Sequence, residues 1–219
     1  MKKKPIIVCL VVCFSVLLAV TGVASAAKKY DIFRLAGLYF NSAYDNTVRD
    51  TTIIASYNGH NITAEMVEYQ RKMNVIRSAE TAKEYNTDID IANRIIENII
   101  IEEEAEKLKL TATDTEIEEM VANAIRAYSI PEGKAAMDAY CEGAGITYDE
   151  YLELLREQAP HVIARQKLKN AVGKQYCDEN GLTYTNVNPP EEMLRAQDIY
   201  IEKLFAKHKV DIVYYIEDE

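Results

Sequence analysis

The sequence predicts a mainly α-helical domain with a small β element that pairs strands from its two ends. Three observations predict it. Apolar residues recur at helical spacing from about residue 63 to residue 207. The 219 residues include eight glycines, five prolines and no tryptophan, which argues against a glycine-rich β-barrel. Only two segments, residues 51–57 and 210–216, read as strands, and they lie near opposite ends of the chain. A lone strand leaves its edges unpaired, so the economical arrangement pairs the two with each other.

The length gives room for one ordinary domain. The formal charge is −10 and no basic run is present beyond residues 2–4, so a nucleic-acid reader is excluded as a class. The acidic surface favours solubility and self-repulsion rather than one particular ligand.

The chain opens with Lys2, Lys3 and Lys4, then an apolar stretch over residues 6–20, then Ala24-Ser25-Ala26. A positive start, a hydrocarbon centre and a small-x-small site make a secretory signal over residues 1–26. The stretch 6–27 is also about long enough to span a bilayer as an uncleaved anchor. Removing the three lysines leaves 22 basic against 35 acidic residues. A lipid anchor needs a cysteine after a small residue; Cys9 follows Val8 and Cys13 follows Val12, which closes that route. The two cysteines beyond the leader, Cys141 and Cys177, form either a disulfide in an oxidising compartment or two separate buried thiols. Residues 27–50 read as a juxtamembrane spacer. Ile32, Phe33, Leu35, Ala36, Leu38 and Tyr39 suit a short amphipathic helix, lying at the membrane surface or folded back on the domain.

The domain proper spans residues 51–219. After the first strand, Asn58-Gly59 signals a tight turn, and Thr63 caps a helix to about residue 85 with Met66, Tyr69 or Gln70, Met73 and Ile76 on one side. The next helix, residues 88–110, carries two adjacent apolar stripes, Ile91-Ile95-Ile99 and Ile96-Ile100, so partners must grip it on more than one side. Thr113 with Glu116 forms a capping box opening a helix along Ile117, Met120, Val121, Ala124, Ile125 and Tyr128, which Pro131 closes. A short helix fills residues 135–142. Thr147 with Glu150 is a second capping box and opens a long helix, 148–178, with Pro160 inside it as an expected kink. A last helix, 191–207, turns Met193, Leu194, Gln197, Tyr200 or Ile201, Leu204 and Phe205 inward before the closing strand. With the end strands paired, helices 63–85, 88–110 and 148–178 are expected to project as an arm.

Several landmarks, taken in order, carry a family resemblance. Ile54-Ala55-Ser56-Tyr57-Asn58-Gly59-His60-Asn61-Ile62-Thr63 is the first. The helix from Ile95-Ile96-Glu97-Asn98 to Ala105-Glu106-Lys107-Leu108, followed by Thr113-Asp114-Thr115-Glu116-Ile117, is the second. The third is Gly145-Ile146-Thr147-Tyr148-Asp149-Glu150-Tyr151-Leu152 with Leu155-Arg156-Glu157-Gln158, and the fourth runs from Glu202-Lys203-Leu204 to Val210-Asp211-Ile212. Over residues 52–216 this order resembles the chaperone domain of the SurA and PrsA extracytoplasmic foldases, similar in design to the trigger-factor peptide-binding arm. The resemblance implies a SurA N-terminal-like helical chaperone fold outside the cytoplasm, secreted or held at the outer face of the cytoplasmic membrane. Many members carry a parvulin prolyl-isomerase domain between the long helix and the closing helix. Here only residues 175–188 fill that gap, too few for a domain, so isomerase activity is not carried over.

No catalytic constellation is legible and no cofactor is expected. His60, His161 and His208 are scattered, which disfavours a metal site. Asp88-Ile89-Asp90 resembles half a calcium loop without its glycine and terminal glutamate, and reads as helix capping. The run Glu102-Glu103-Glu104-Glu106 reads as a solvated helix face. What remains is binding of unfolded or exported polypeptide. Methionine and tyrosine repack cheaply around varied sequences, so Met66, Tyr69, Met73, Met120, Tyr128, Met137, Tyr140, Tyr148 and Tyr151 are the candidate client-binding residues. Against that stands ordinary core packing of the same residues. The function expected is an exported chaperone-like protein without catalysis. The alternative is a membrane-associated adaptor whose helical arm docks one protein partner.

Overall fold

In a computed structural model of the chain, residues 26–44, 50–77 and 87–216 are described. The expected leader up to residue 25, and the expected helix continuation over 78–86, lie outside them. Among the described residues no helix is long and apolar enough to cross a membrane.

Strand β1, Ile53–Tyr57, passes through Asn58-Gly59 into β2, His60–Thr63. Both turn residues have positive φ, 45° and 81°, the backbone a two-residue antiparallel hairpin requires. Strand β3, Ile212–Tyr214, joins the free edge of β1 antiparallel, pairing Tyr57 with Ile212 and Ala55 with Tyr214. The sheet order is therefore β2-β1-β3, and the end-to-end pairing read from the sequence is present. Strand β2 was not foreseen, because only Ile62 in it turns inward and alternation has nothing to repeat.

Among the described residues seven α-helices make up most of the rest. They are α1, Ala26–Tyr44; α2, Ala64–Arg77; α3, Asp88–Lys107; α4, Asp114–Tyr128; α5, Pro131–Ala144; α6, Tyr148–Asn180; and α7, Glu191–His208. Both expected capping boxes form: the Thr113 hydroxyl accepts from the Glu116 amide and the Thr147 hydroxyl from the Glu150 amide. Thr87 and Asp90 make a third at the start of α3. Pro131 does more than close α4. It occupies the first turn of α5, where its missing N–H costs nothing, so α5 starts earlier than residue 135. Gly145 and Gly181 end α5 and α6 in the left-handed conformation, both at φ 66°.

The buried side chains sort into two cores. The sheet lobe gathers Ile54, Tyr57, Ile62 and Ile212 from the strands around α3, with Leu168 of α6 and Ile201 and Leu204 of α7. The helical lobe gathers Phe33 and Phe40 of α1, Tyr69 and Met73 of α2, Val121 of α4, Met137 and Tyr140 of α5, and Tyr151 and Leu155 of α6. This corrects the expected arm. Helix α3 does not project: Ile91 and Ile96 are fully buried, because its two stripes face β1 on one side and α6 and α7 on the other. In α7, Ile201 rather than Tyr200 is the fully buried residue, and Leu194 is exposed.

Two helices belong to both cores. Helix α2 gives Val67 to the sheet lobe and Met73 to the helical lobe; α6 gives Leu155 to the helical lobe and Ala164 to the sheet lobe, with Pro160 between them. Buried amides mark both crossings. Gln70 donates to Asn74 at 2.7 Å, leaving Gln70 Oε1 and Asn74 Nδ2 unsatisfied, and Gln158 Oε1 is unsatisfied two residues before Pro160.

Helix α1 lies on α5 with backbones in contact. A Cβ on Gly37 would run into the Tyr140 carbonyl oxygen, and one on Gly143 into that of Arg34. Phe33, Ala36 and Phe40 are thereby pressed into the helical core while Ile32, Leu35 and Leu38 stay exposed. Gly143→Val must push the helices apart and should lower unfolding free energy by about 2–3 kcal/mol in urea titration. Unchanged stability would show that the crossing is looser than described.

Candidate functional site

Helix α4 is held at its start and its middle. The Glu116 carboxylate accepts from the Thr113 amide at 2.8 Å and from Lys167 of α6 at 2.8 Å, and Lys167 also reaches the Thr111 carbonyl at 2.9 Å. The Lys167 ammonium and the Thr113 donors hold the Glu116 carboxyl down at about 2. Further along, Arg156 of α6 donates to Glu118 at 3.2 Å. Fixed this way, α4 still buries only Val121 completely. Met120, Ala124 and Tyr128 are half-buried against the helical core, and Ile125 and Ile130 are 48% and 54% exposed.

An aromatic ladder backs this face. Tyr128 stacks on Tyr148 with centroids 3.8 Å apart, Tyr148 lies 6.0 Å from Tyr151, and Tyr151 meets Tyr140 edge-on at 5.9 Å. Such contacts contribute beyond area burial and fix ring orientation. The Tyr128 hydroxyl donates to Asp138 at 2.8 Å, and Lys134 sits 4.9 Å above the same ring. Burial pushes the Tyr148 and Tyr151 phenols up, so both stay neutral at physiological pH.

Eight of the nine methionines and tyrosines singled out in the sequence converge on this one core. Tyr69, Met73, Met137, Tyr140 and Tyr151 are at most 7% exposed and belong to its interior, the ordinary core packing weighed against client contact in the sequence. These five long side chains come from α2, α5 and α6 and fill one core together. Met120, Tyr128 and Tyr148 are half-buried at its margin, and Met66 lies apart against the sheet lobe. Ile125 was legible only as one member of the α4 stripe and Ile130 only as the residue before Pro131; nothing in the sequence marks them as the uncovered ones.

The histidines fall in separate places. His60 is exposed in the hairpin. His161 Nδ1 lies 2.7 Å from Glu102, a carboxylate that also receives Arg165. His208 joins a link that sequence reasoning missed, where Tyr57 donates to Glu103 at 3.1 Å and His208 Nδ1 lies 3.1 Å from the phenol oxygen. With the one phenol proton given to Glu103, His208 is assigned as donor to Tyr57. These residues line a cavity of about 810 Å³ with Asn58, Glu106, Lys107 and Asp211. They tie β1, α3 and α7 together at one end of the sheet. Among the described residues no group of histidine, cysteine and acidic side chains can hold a metal ion, and Cys141 and Cys177 are both free and buried.

A family model described as the SurA-like N-terminal domain matches residues 1–169. Comparison with curated proteins and with solved structures finds no match.

Burial and the Glu103 carboxylate raise the Tyr57 phenol from 10 to about 12. The folded chain therefore keeps this proton where the unfolded chain loses it. The stability so contributed is complete below pH 10 and falls as pH rises from 10 to about 12. Alkaline unfolding of Tyr57→Phe should be flatter across that window than the parent's; an equally steep fall would place the cause elsewhere.

Proposed function

The chain belongs to the SurA-like N-terminal domain family, and on that premise we propose that it is an exported chaperone-like protein that holds unfolded or translocating polypeptide without catalysis. A chaperone-related role comes with the family. The observation that supports the finer reading is α4, an amphipathic helix tied to α6 whose apolar stripe is completely buried only at Val121 and exposed at Ile125. Ile125 on α4 and Ile130 in the turn into α5 are exposed, while Met120, Tyr128 and Tyr148 are partly exposed beside them. A client segment laid there buries its own apolar side chains against these residues at about 25 cal/mol per Å², and releases when it folds and needs them itself. Tyr69, Met73, Met137, Tyr140 and Tyr151 support the wall from beneath and meet a client only where the helical lobe opens. Met66 offers a smaller contact on the sheet lobe.

Helix α6 ends at Asn180 and α7 begins at Glu191, so the connection between them is a short loop without an inserted domain. This supports a binding role without isomerase chemistry. The leader expected over residues 1–26 supports export, and the exposed Ile32, Leu35 and Leu38 of α1 support a position close to the membrane.

Promiscuity separates this reading from an adaptor with one fixed partner. The purified protein should suppress aggregation of several unrelated unfolded proteins at near-stoichiometric amounts. Protection of none, with capture of one native partner, would establish the adaptor. A proline-containing peptide should isomerise no faster with the protein than without it, and a measurable rate would overturn the non-catalytic assignment.

A further inference from the structure

The acidic charge is not spread evenly. Residues 114–160, which are α4, α5 and the start of α6, carry eleven acidic and three basic side chains, whereas the rest of the chain carries 24 and 22. Two of the three cations are occupied: Lys134 pairs with Asp138 at 2.5 Å, and Arg156 with Glu118 at 3.2 Å and Glu153 at 2.7 Å. The third, Arg126, donates to Asn123. Asp114 and Glu119 on α4, Glu132 on α5, and Asp149 and Glu157 on α6 are exposed and pair with no cation among the described residues.

The uncovered apolar residues Ile125 and Ile130 lie within this stretch. Exposed carboxylates on the same helices as an apolar surface stay in water when a client binds, yet their field falls on whatever settles nearby. A lysine or arginine in the client gains from that field, and an aspartate or glutamate loses. The Tyr128 ring already accepts one cation on its face, that of Lys134.

Building on the client-holding function above, we infer that the α4–α5 face selects polypeptide segments in which lysine or arginine is interspersed among apolar side chains, and rejects acidic ones. The occupant is a cationic, unfolded segment recognised by charge and apolar content, without a fixed sequence.

The test uses the purified protein and three labelled unstructured peptides of identical apolar content, whose spacer positions are all lysine, all glutamine or all glutamate. Fluorescence anisotropy at low salt should rank affinity lysine over glutamine over glutamate, with lysine over glutamate by roughly fivefold or more, and added salt should shrink the gap. The triple variant E119Q/E132Q/E157Q, checked for folding by circular dichroism, should narrow the gap. Neutralising exposed acids on α7 instead, E192Q/E202Q, should leave it. Equal affinity for all three peptides, or a gap unmoved by salt and by the triple variant, overturns charge selection while client holding stands. No binding of any peptide, together with no suppression of aggregation, overturns both.

Discussion

Three residues near the C-terminus close the fold. Ile212–Tyr214 add to β1 as its second neighbour, and without them β1 would present a bare edge while Ile54 and the inner face of α3 lost part of their cover. The contact is distant in sequence: Ser56 and Tyr215, hydrogen-bonded across this seam, are 159 positions apart. Closing so long a loop costs entropy that local helices do not repay, so the apolar gain must come at the closure itself. It does. The isoleucines of α3 fill the space between sheet, α6 and α7, and the Tyr57–Glu103–His208 link satisfies the polar groups at one end.

With the sheet lobe closed, α2 and α6 carry its rigidity into the helical lobe, since each is anchored in both cores. The buried amides of Gln70, Asn74 and Gln158 lie where these helices pass from one core to the other, and each keeps an unsatisfied atom. An unsatisfied buried polar group costs about 1–3 kcal/mol, and Pro160 removes a helical hydrogen bond two residues beyond Gln158.

What could be read from the sequence divides along physical lines. Rules of short range held: the Thr113–Glu116 and Thr147–Glu150 boxes, the Asn58-Gly59 turn, and the breadth of the α3 stripe, which correctly implied partners on several sides. The pairing of the two end strands was legible because few strand-like segments exist. The partition into two cores was not, since periodicity says which face of a helix is buried but not against what. The same limit hid which tyrosines are covered. Tyr151 and Tyr148 stand three positions apart on one face, yet the first is deep in the core and the second at its margin, a difference decided by α5 and α4 rather than by their neighbours in sequence.

On the proposed function, unfolded chains are held on the uncovered face of α4 and its turn into α5, not on the sheet lobe. A photo-crosslinking side chain placed singly at position 125, 130 or 199 tests it most directly, because all three positions are exposed apolar sites that tolerate replacement. Illumination with an unfolded client should give adducts from 125 and 130 and little from 199 on α7. Adducts mainly from 199, or equally from all three, would show that clients are not held on this face.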